Sequence, residues 1–301
     1  MCFAGLVRTG CLETDIQIRV IKDAPTCKVC NNDKGNLTIH FPTYKFVSGT
    51  FHAPEWYSHE KYYCRQCGLL WATYFDDLDH KAYGQKYREA NYDEHRRPTE
   101  DRMIAAPKLL RLIVEKAGDG RFLDYGVGYN SPYIYELRGR DIDLWGCDIS
   151  TGINYSRYVK RIPVDDLPQG SFHGLYSLDV AEHLIDIIGE YQRQKDLLCD
   201  GGLILHSTYW LHEMWRTEDL FPALPALINP WHISICSDIT MSYIANRVGL
   251  EYLGAIKLPT DTGCGYLLRK PGRLPSNILN RLIALSRIDK HLKYVEKAYR
   301  P

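Results

Sequence analysis

The chain has 301 residues, with 37 Lys and Arg balancing 37 Asp and Glu, so its formal charge is zero. That length accommodates one good core plus a small accessory module, and the missing basic excess speaks against RNA or DNA as a partner. No run of about 18 apolar residues is there to cross a membrane, the opening MCFAGLVRTGCLETD is not built as a secretion signal, and the 10 cysteines are mostly scattered, so a soluble, reduced, cytoplasmic protein is expected.

The first predicted element is a strand, because ETDIQIRVI alternates apolar and polar residues. Two Cys-x-x-Cys knuckles follow, Cys27-Lys-Val-Cys30 and Cys64-Arg-Gln-Cys67-Gly68, separated by 33 residues. Each short turn presents both sulfurs to one side, so Cys27, Cys30, Cys64 and Cys67 can surround one tetrahedral structural zinc, worth on the order of 10 kcal/mol to a region poor in aliphatic residues. The intervening TIHFPTYKFVSGTF carries β-branched and aromatic residues in strand-like patterns. His40, His52 and His59 are read as ordinary surface or packing residues. A redox pair is the other use of such cysteines, but neither knuckle opens a βαβ unit.

A polar, tyrosine-studded connector then leads into an apolar-periodic helix ending near Lys116. Beyond it the stretch Arg121–Leu184 holds three successive strand ends: RFLDYGVGYN, LWGCDIS and GLYSLDVAEHL. Gly126 and Gly128 let a ligand approach the main chain. Pro132 suits the first turn of the helix SPYIYELRGR, whose free N–H groups can take a carboxylate. The loop has no lysine, which argues against a nucleoside triphosphate. Asp148, 22 positions after Gly126, sits where an acid accepts both ribose hydroxyls. Ser131, where a dinucleotide fold wants its third glycine, and Asp124, which precedes the loop, move the choice from NAD towards S-adenosylmethionine, and the third strand end, GLYSLDVAEHL, decides it.

Next, DLLCDGGLILHSTYW reads as a helix end, a Gly201-Gly202 turn and a strand. Candidate bases for removing an acceptor's proton are Glu182, His183, His206, His212 and His232, since an imidazole titrates near neutrality. Tyr209, Trp210 and Trp215 are candidate walls of an acceptor pocket, with core packing as the plainer role. The tail PSNILNRLIALSRIDKHLKYVEKAYRP reads as a basic amphipathic helix that packs on its own domain or on a second copy in a homodimer.

On Asp124, Gly126, Gly128, Asp148 and Val180-Ala181-Glu182-His183-Leu184, joined by His232, Ser234 and Gly249, the chain resembles class I S-adenosylmethionine-dependent methyltransferases from about Gly118 to Lys270. Asn130 replaces the usual third glycine. The resemblance implies an α/β fold: a Rossmann-like, doubly wound, seven-stranded sheet with a reversed last strand, here preceded by a small zinc-binding β-rich module. It implies that Asp124, Gly126, Gly128, Asn130, Asp148, Ile149, Asp165, Asp179, Val180 and Tyr92 face the cofactor, Tyr87 being an alternative to Tyr92. Glu182, His183 and His232 are the catalytic candidates, and His206, Tyr209 and Trp210 the acceptor-binding ones. The cysteine-knuckle front is similar to that of deoxysugar methyltransferases, without their further large C-terminal domain.

The expected organisation is a zinc module over 1–80, a helical connector over 81–117, the methyltransferase domain over 118–270 and a helical tail over 271–301. The expected activity is methyl transfer to a small molecule: a sugar, a glycan precursor or a natural-product intermediate. An RNA base methyltransferase and a non-catalytic module that kept the fold are the alternatives.

Overall fold

The structure, a computed structural model, describes residues 3–9, 12–20, 24–41, 59–91, 100–127, 142–148, 160–208, 211, 229–257 and 264–272. Five strands open the chain: β1 (Phe3–Thr9), β2 (Leu12–Val20), β3 (Leu37–Phe41), β4 (His59–Tyr63) and β5 (Leu70–Trp71). Helices α1 (His80–Asn91) and α2 (Glu100–Ala117) follow, then β6 (Arg121–Tyr125), β7 (Asp143–Cys147), β8 (Lys160–Arg161) and β9 (Phe172–Leu178). The described chain continues with α3 (Ile187–Leu197), β10 (Leu198–Thr208), β11 (Ser234–Ile235), α4 (Asp238–Val248), β12 (Glu251–Lys257) and β13 (Cys264–Arg269). None of the described helices is long and apolar enough to cross a membrane.

Among the described residues, seven strands form one sheet in the order β12-β13-β10-β9-β6-β7-β8. The β6, β7, β8, β9 and β10 pairings are parallel, and β13 runs antiparallel to both β10 and β12. From β6 the chain winds outward through β7 and β8, then returns to lay β9 on the other side of β6. That reversal leaves a crevice outside the carboxyl ends of β6 and β9, the place where α/β sheets take ligands. Strands buried on both faces need near-continuous apolar runs, and Phe122, Leu123, Leu175, Tyr176, Ile204 and Leu205 supply them.

One expected turn is built differently. Gly201 and Gly202 lie inside β10, where the register jumps from Leu198↔Phe172 to Leu203↔Gly174. Gly201 adopts φ +81°, and a Cβ on Gly202 would meet the Cys199 carbonyl at 2.9 Å and that of Phe172 at 3.0 Å. The pair makes a bulge, where main chain packs against main chain.

The second sheet runs β1-β2-β3-β4-β5-β11 and is antiparallel throughout. Its last strand comes from the far part of the chain, so the cysteine-bearing front and the larger sheet share a seam. Cys27, Cys64 and Cys67 lie in one apolar cluster with Met241, Ile244 and Val248 of α4 and with Leu175 and Ile204 of the large sheet. Leu109, Leu110 and Ile113 of α2 cover the other face against Phe122, Tyr176 and Leu205, each contributing roughly 1.5–3 kcal/mol by burial. At the seam, α4 begins with a capping box of Ser237 and Thr240 and stops at Gly249 in the left-handed region, φ +72°. Both capping hydroxyls also donate to the Cys67 carbonyl, at 3.0 and 2.7 Å.

Candidate functional site

A crevice lies at the β6/β9 reversal, and its lining includes Gly126, Asp148, Asp179, Val180 and His183. Gly126 and Val127 both donate their N–H to the Cys147 carbonyl, at 2.8 and 3.0 Å, which ties the turn after β6 to the end of β7. Gly126 has φ +84°, and a Cβ there would lie 2.3 Å from Val180 Cγ2, so only glycine fits. At the end of β9, Asp179 adopts φ +53°, a left-handed conformation that costs a non-glycine residue about 1–3 kcal/mol and tends to occur at functional sites.

Glu182 and His183 occupy a 3-10 turn, Ala181–His183, directly after Val180. The segment opposite, Asn229–Ser234, fixes them. Ile233 donates its N–H to the Glu182 carbonyl at 2.7 Å, and Ser234 Oγ donates to the Leu184 carbonyl at 2.8 Å. His183 Nδ1 donates to the Trp231 carbonyl at 2.7 Å. A carbonyl can only accept, so in the neutral ring the proton is on Nδ1 and Nε2 keeps its lone pair. Nε2 lies 3.4 Å from the Tyr87 hydroxyl, which donates to it from the crevice side.

His232 has the same tautomer for a different reason. Asn229 Oδ1 accepts the Trp231 N–H at 2.9 Å, which leaves the amide Nδ2 to donate to His232 Nε2 at 3.0 Å. The His232 proton is therefore on Nδ1. Glu182, fully buried, accepts from Thr208 Oγ1 at 2.6 Å. Ligand-type atoms of Glu182, His183 and His232 lie within 4.8 Å of one another, so the three catalytic candidates meet as one group beside the crevice.

Other expected residues fall elsewhere. His206 does not line the crevice: it is fully buried, linked to Ser177 Oγ through Nδ1 and to Gln194 Oε1 at 2.8 Å through Nε2, with burial pushing its pKa down to about 3. It sits two residues, about 6.6 Å along the strand, before Thr208, which does reach the site. Asp165 points outward, its side chain 82% exposed and paired with Arg193 at 2.9 Å; its neighbour Val164 lines the crevice instead. Asp124 is 1% exposed, buried behind the lining. Gly128, Asn130, Ile149, Tyr92, Tyr209 and Trp210 lie outside the described residues, as do His212, Trp215 and the C-terminal tail.

Sequence reasoning missed several lining residues: His80 and Tyr83 of α1, and Tyr125 and Glu190. Tyr125 donates to Glu190 Oε2; His80 Nε2 and Arg193 Nε lie 3.5 and 3.6 Å from Oε1 of the same carboxylate. The spacing of Tyr83 and Tyr87, four apart on one helical face, was the legible sign that α1 turns a tyrosine stripe one way.

The cysteine knuckles form a second site. Cys27 Sγ lies 3.6 Å from Cys67 Sγ and Cys30 Sγ 3.4 Å from Cys64 Sγ, and all four sulfurs are mutually within 4.8 Å. Tetrahedral zinc with Zn–S near 2.3 Å needs sulfurs about 3.8 Å apart, so the donor set fits that ion. Each knuckle ends in a left-handed residue, Asn31 at φ +59° and Gly68 at φ +74°. Hydrogen bonds with Cys27 and Cys67 pull the Cys64 thiol pKa down, while hydrogen bonds with Cys27 and then Cys64, with burial, push Cys67 up.

No family model matches the chain, and no curated protein does. Among solved structures it is similar to the [4+2]-cyclase SpnF, at 15% identity and TM-score 0.45, over 64% of this chain and 97% of that one. It is similar to Haemonchus contortus phosphoethanolamine N-methyltransferase 2 in complex with S-adenosyl-L-methionine, at 13% identity and TM-score 0.43, over 55% and 53% of the two chains. A third is an S-adenosylmethionine-dependent methyltransferase from Mesorhizobium loti, at 16% identity and TM-score 0.41, over 56% of this chain and all of that one. Likenesses this distant carry no weight for activity.

Proposed function

We propose that the protein transfers a methyl group from S-adenosylmethionine to a small molecule, and that its cysteine knuckles hold a structural zinc. The observation that supports this most is the convergence, at one sheet reversal, of a glycine that admits no Cβ, an acid at the neighbouring strand end and an imidazole on the crevice lining whose proton is held on Nδ1. The cofactor, when bound, supplies a methyl on an already activated sulfonium, so the protein needs mainly to align the partners and take a proton. Asp148 would accept the ribose hydroxyls, Val164 and Val180 would offer apolar surface to the base, and Gly126 would allow close main-chain approach.

His183 is the proposed base. The Trp231 carbonyl holds its proton on Nδ1, and Nε2, which accepts from the Tyr87 hydroxyl at 3.4 Å, would take the acceptor's proton once the acceptor's hydroxyl replaces that of Tyr87. His232 has a positioning role in this reading, because its Nε2 is held by Asn229 of its own segment and the crevice lining includes His183 but not His232. The test is calorimetry with S-adenosylhomocysteine on the whole chain. Asp148→Ala should weaken binding at least tenfold; unchanged affinity would remove the ribose assignment, and no binding by the native chain would favour a non-catalytic module.

A further inference from the structure

Tyr83 is 2% exposed and lines the crevice, yet its hydroxyl has no hydrogen-bond partner among the described residues. A buried hydroxyl left unpaired costs about 1–3 kcal/mol, and rotation cannot relieve it. The ring is held edge-on by Phe75 at 5.2 Å and packed against Trp231 at 6.0 Å and Tyr87 at 6.2 Å between centroids, so the phenol cannot swing to solvent. Tyr74, Tyr87 and Glu182 all lie near enough to act on it, and together with burial they push its pKa well up. The group is a neutral O–H with its proton unused, on the same crevice lining as His183.

We propose that Tyr83 binds the methyl acceptor, donating its hydrogen bond to the atom that receives the methyl group, and that this atom is a hydroxyl oxygen. The inference rests on the methyl-transfer reading and deepens it. The reacting atom must replace the Tyr87 hydroxyl at His183 Nε2 and give a proton there, use one lone pair on the methyl carbon and still accept from Tyr83. Oxygen has two lone pairs and meets all three demands; a neutral amine has one, and the methyl consumes it. In the balanced step, an oxygen lone pair forms the new C–O bond while the C–S bond breaks with its electrons kept on sulfur. The O–H proton passes to His183 Nε2, and the products are a methyl ether and S-adenosylhomocysteine.

The test compares two probes on the full chain and on Tyr83→Phe. S-Adenosylhomocysteine leaves the methyl position empty, whereas its sulfoxide carries there an oxygen that can only accept. Tyr83→Phe should lower affinity for the sulfoxide about tenfold, in line with the loss of one buried hydrogen bond, and leave S-adenosylhomocysteine affinity within about twofold. Without ligand, the variant should melt at the same temperature or higher, because an unpaired buried hydroxyl has been removed. Equal losses for both probes would assign Tyr83 to the cofactor alone, and no loss for either, or a lower melting temperature, would give it a packing role; each result overturns the inference. If the native chain bound neither probe, the methyl-transfer reading itself would fall.

Discussion

Replacing Gly126 with alanine should be costly in a way that can be divided into parts. The position has φ +84°, and the new Cβ would lie 2.3 Å from Val180 Cγ2 and 3.4 Å from Cγ1. The left-handed backbone costs an L-residue roughly 1–2 kcal/mol, and forcing a methyl into packed surroundings roughly 1–3 kcal/mol. Val180 can relieve only the second part. Gly126→Ala should therefore destabilise by about 2–5 kcal/mol in denaturant unfolding, and adding Val180→Ala should recover much of the steric share, giving a favourable coupling of about 1–3 kcal/mol in the double-mutant cycle. Affinity for S-adenosylhomocysteine should fall in the single variant. Strictly additive costs would refute the idea that the loop after β6 and the turn after β9 are closed together through this contact.

His206 makes a prediction about acid. Its pKa is near 6.5 when unfolded and about 3 when folded, so below pH 6.5 the unfolded chain binds a proton that the native chain refuses. This residue's contribution is complete above that pH and is lost as pH falls towards 3, with a slope of about 1.4 kcal/mol per unit. Urea midpoints across that range should show this slope, and His206→Asn should flatten it by one proton; an unchanged slope would contradict the burial argument. Freshly purified protein should contain about one zinc per chain, and a chelator should lower the melting temperature, more readily in mild acid where thiolates take up protons. Thr240→Val, which deletes a donor to the Cys67 carbonyl, should hasten zinc loss, since that knuckle is braced from α4; an equal rate would show the brace to be immaterial.

How much could be read in advance depended on whether the signal was local. The apolar runs around Leu123, Trp145 and Tyr176 announced buried strands because their neighbours in sequence share their environment, and Gly126, Asp148 and His183 were legible just past the ends of those strands. Tyr83 was legible only as one of two tyrosines four apart on a helix and Glu190 not at all, since both belong to helices whose approach to the crevice depends on packing far along the chain. The seam between the sheets was equally hidden: β11 is two residues long, and its pairing, Ser234↔Trp71 and Ile235↔Leu70, leaves no periodicity to detect. His206 misled for a geometric reason. It shares a face of β10 with Thr208, as alternation requires, but falls one pleat short of the carboxyl end. Asp165 misled because an acid in a loop next to a site is as ready to pair with a surface arginine as to face a ligand.

The account turns on what enters the crevice between β6 and β9. Crystals grown with S-adenosylhomocysteine should show the ribose against Asp148, main chain at Gly126 close to the ligand, and the sulfur on the side of the cavity occupied by His183 and Tyr83. Density for the ligand at any other place, or a crevice that stays closed by its own side chains at saturating ligand, would contradict it.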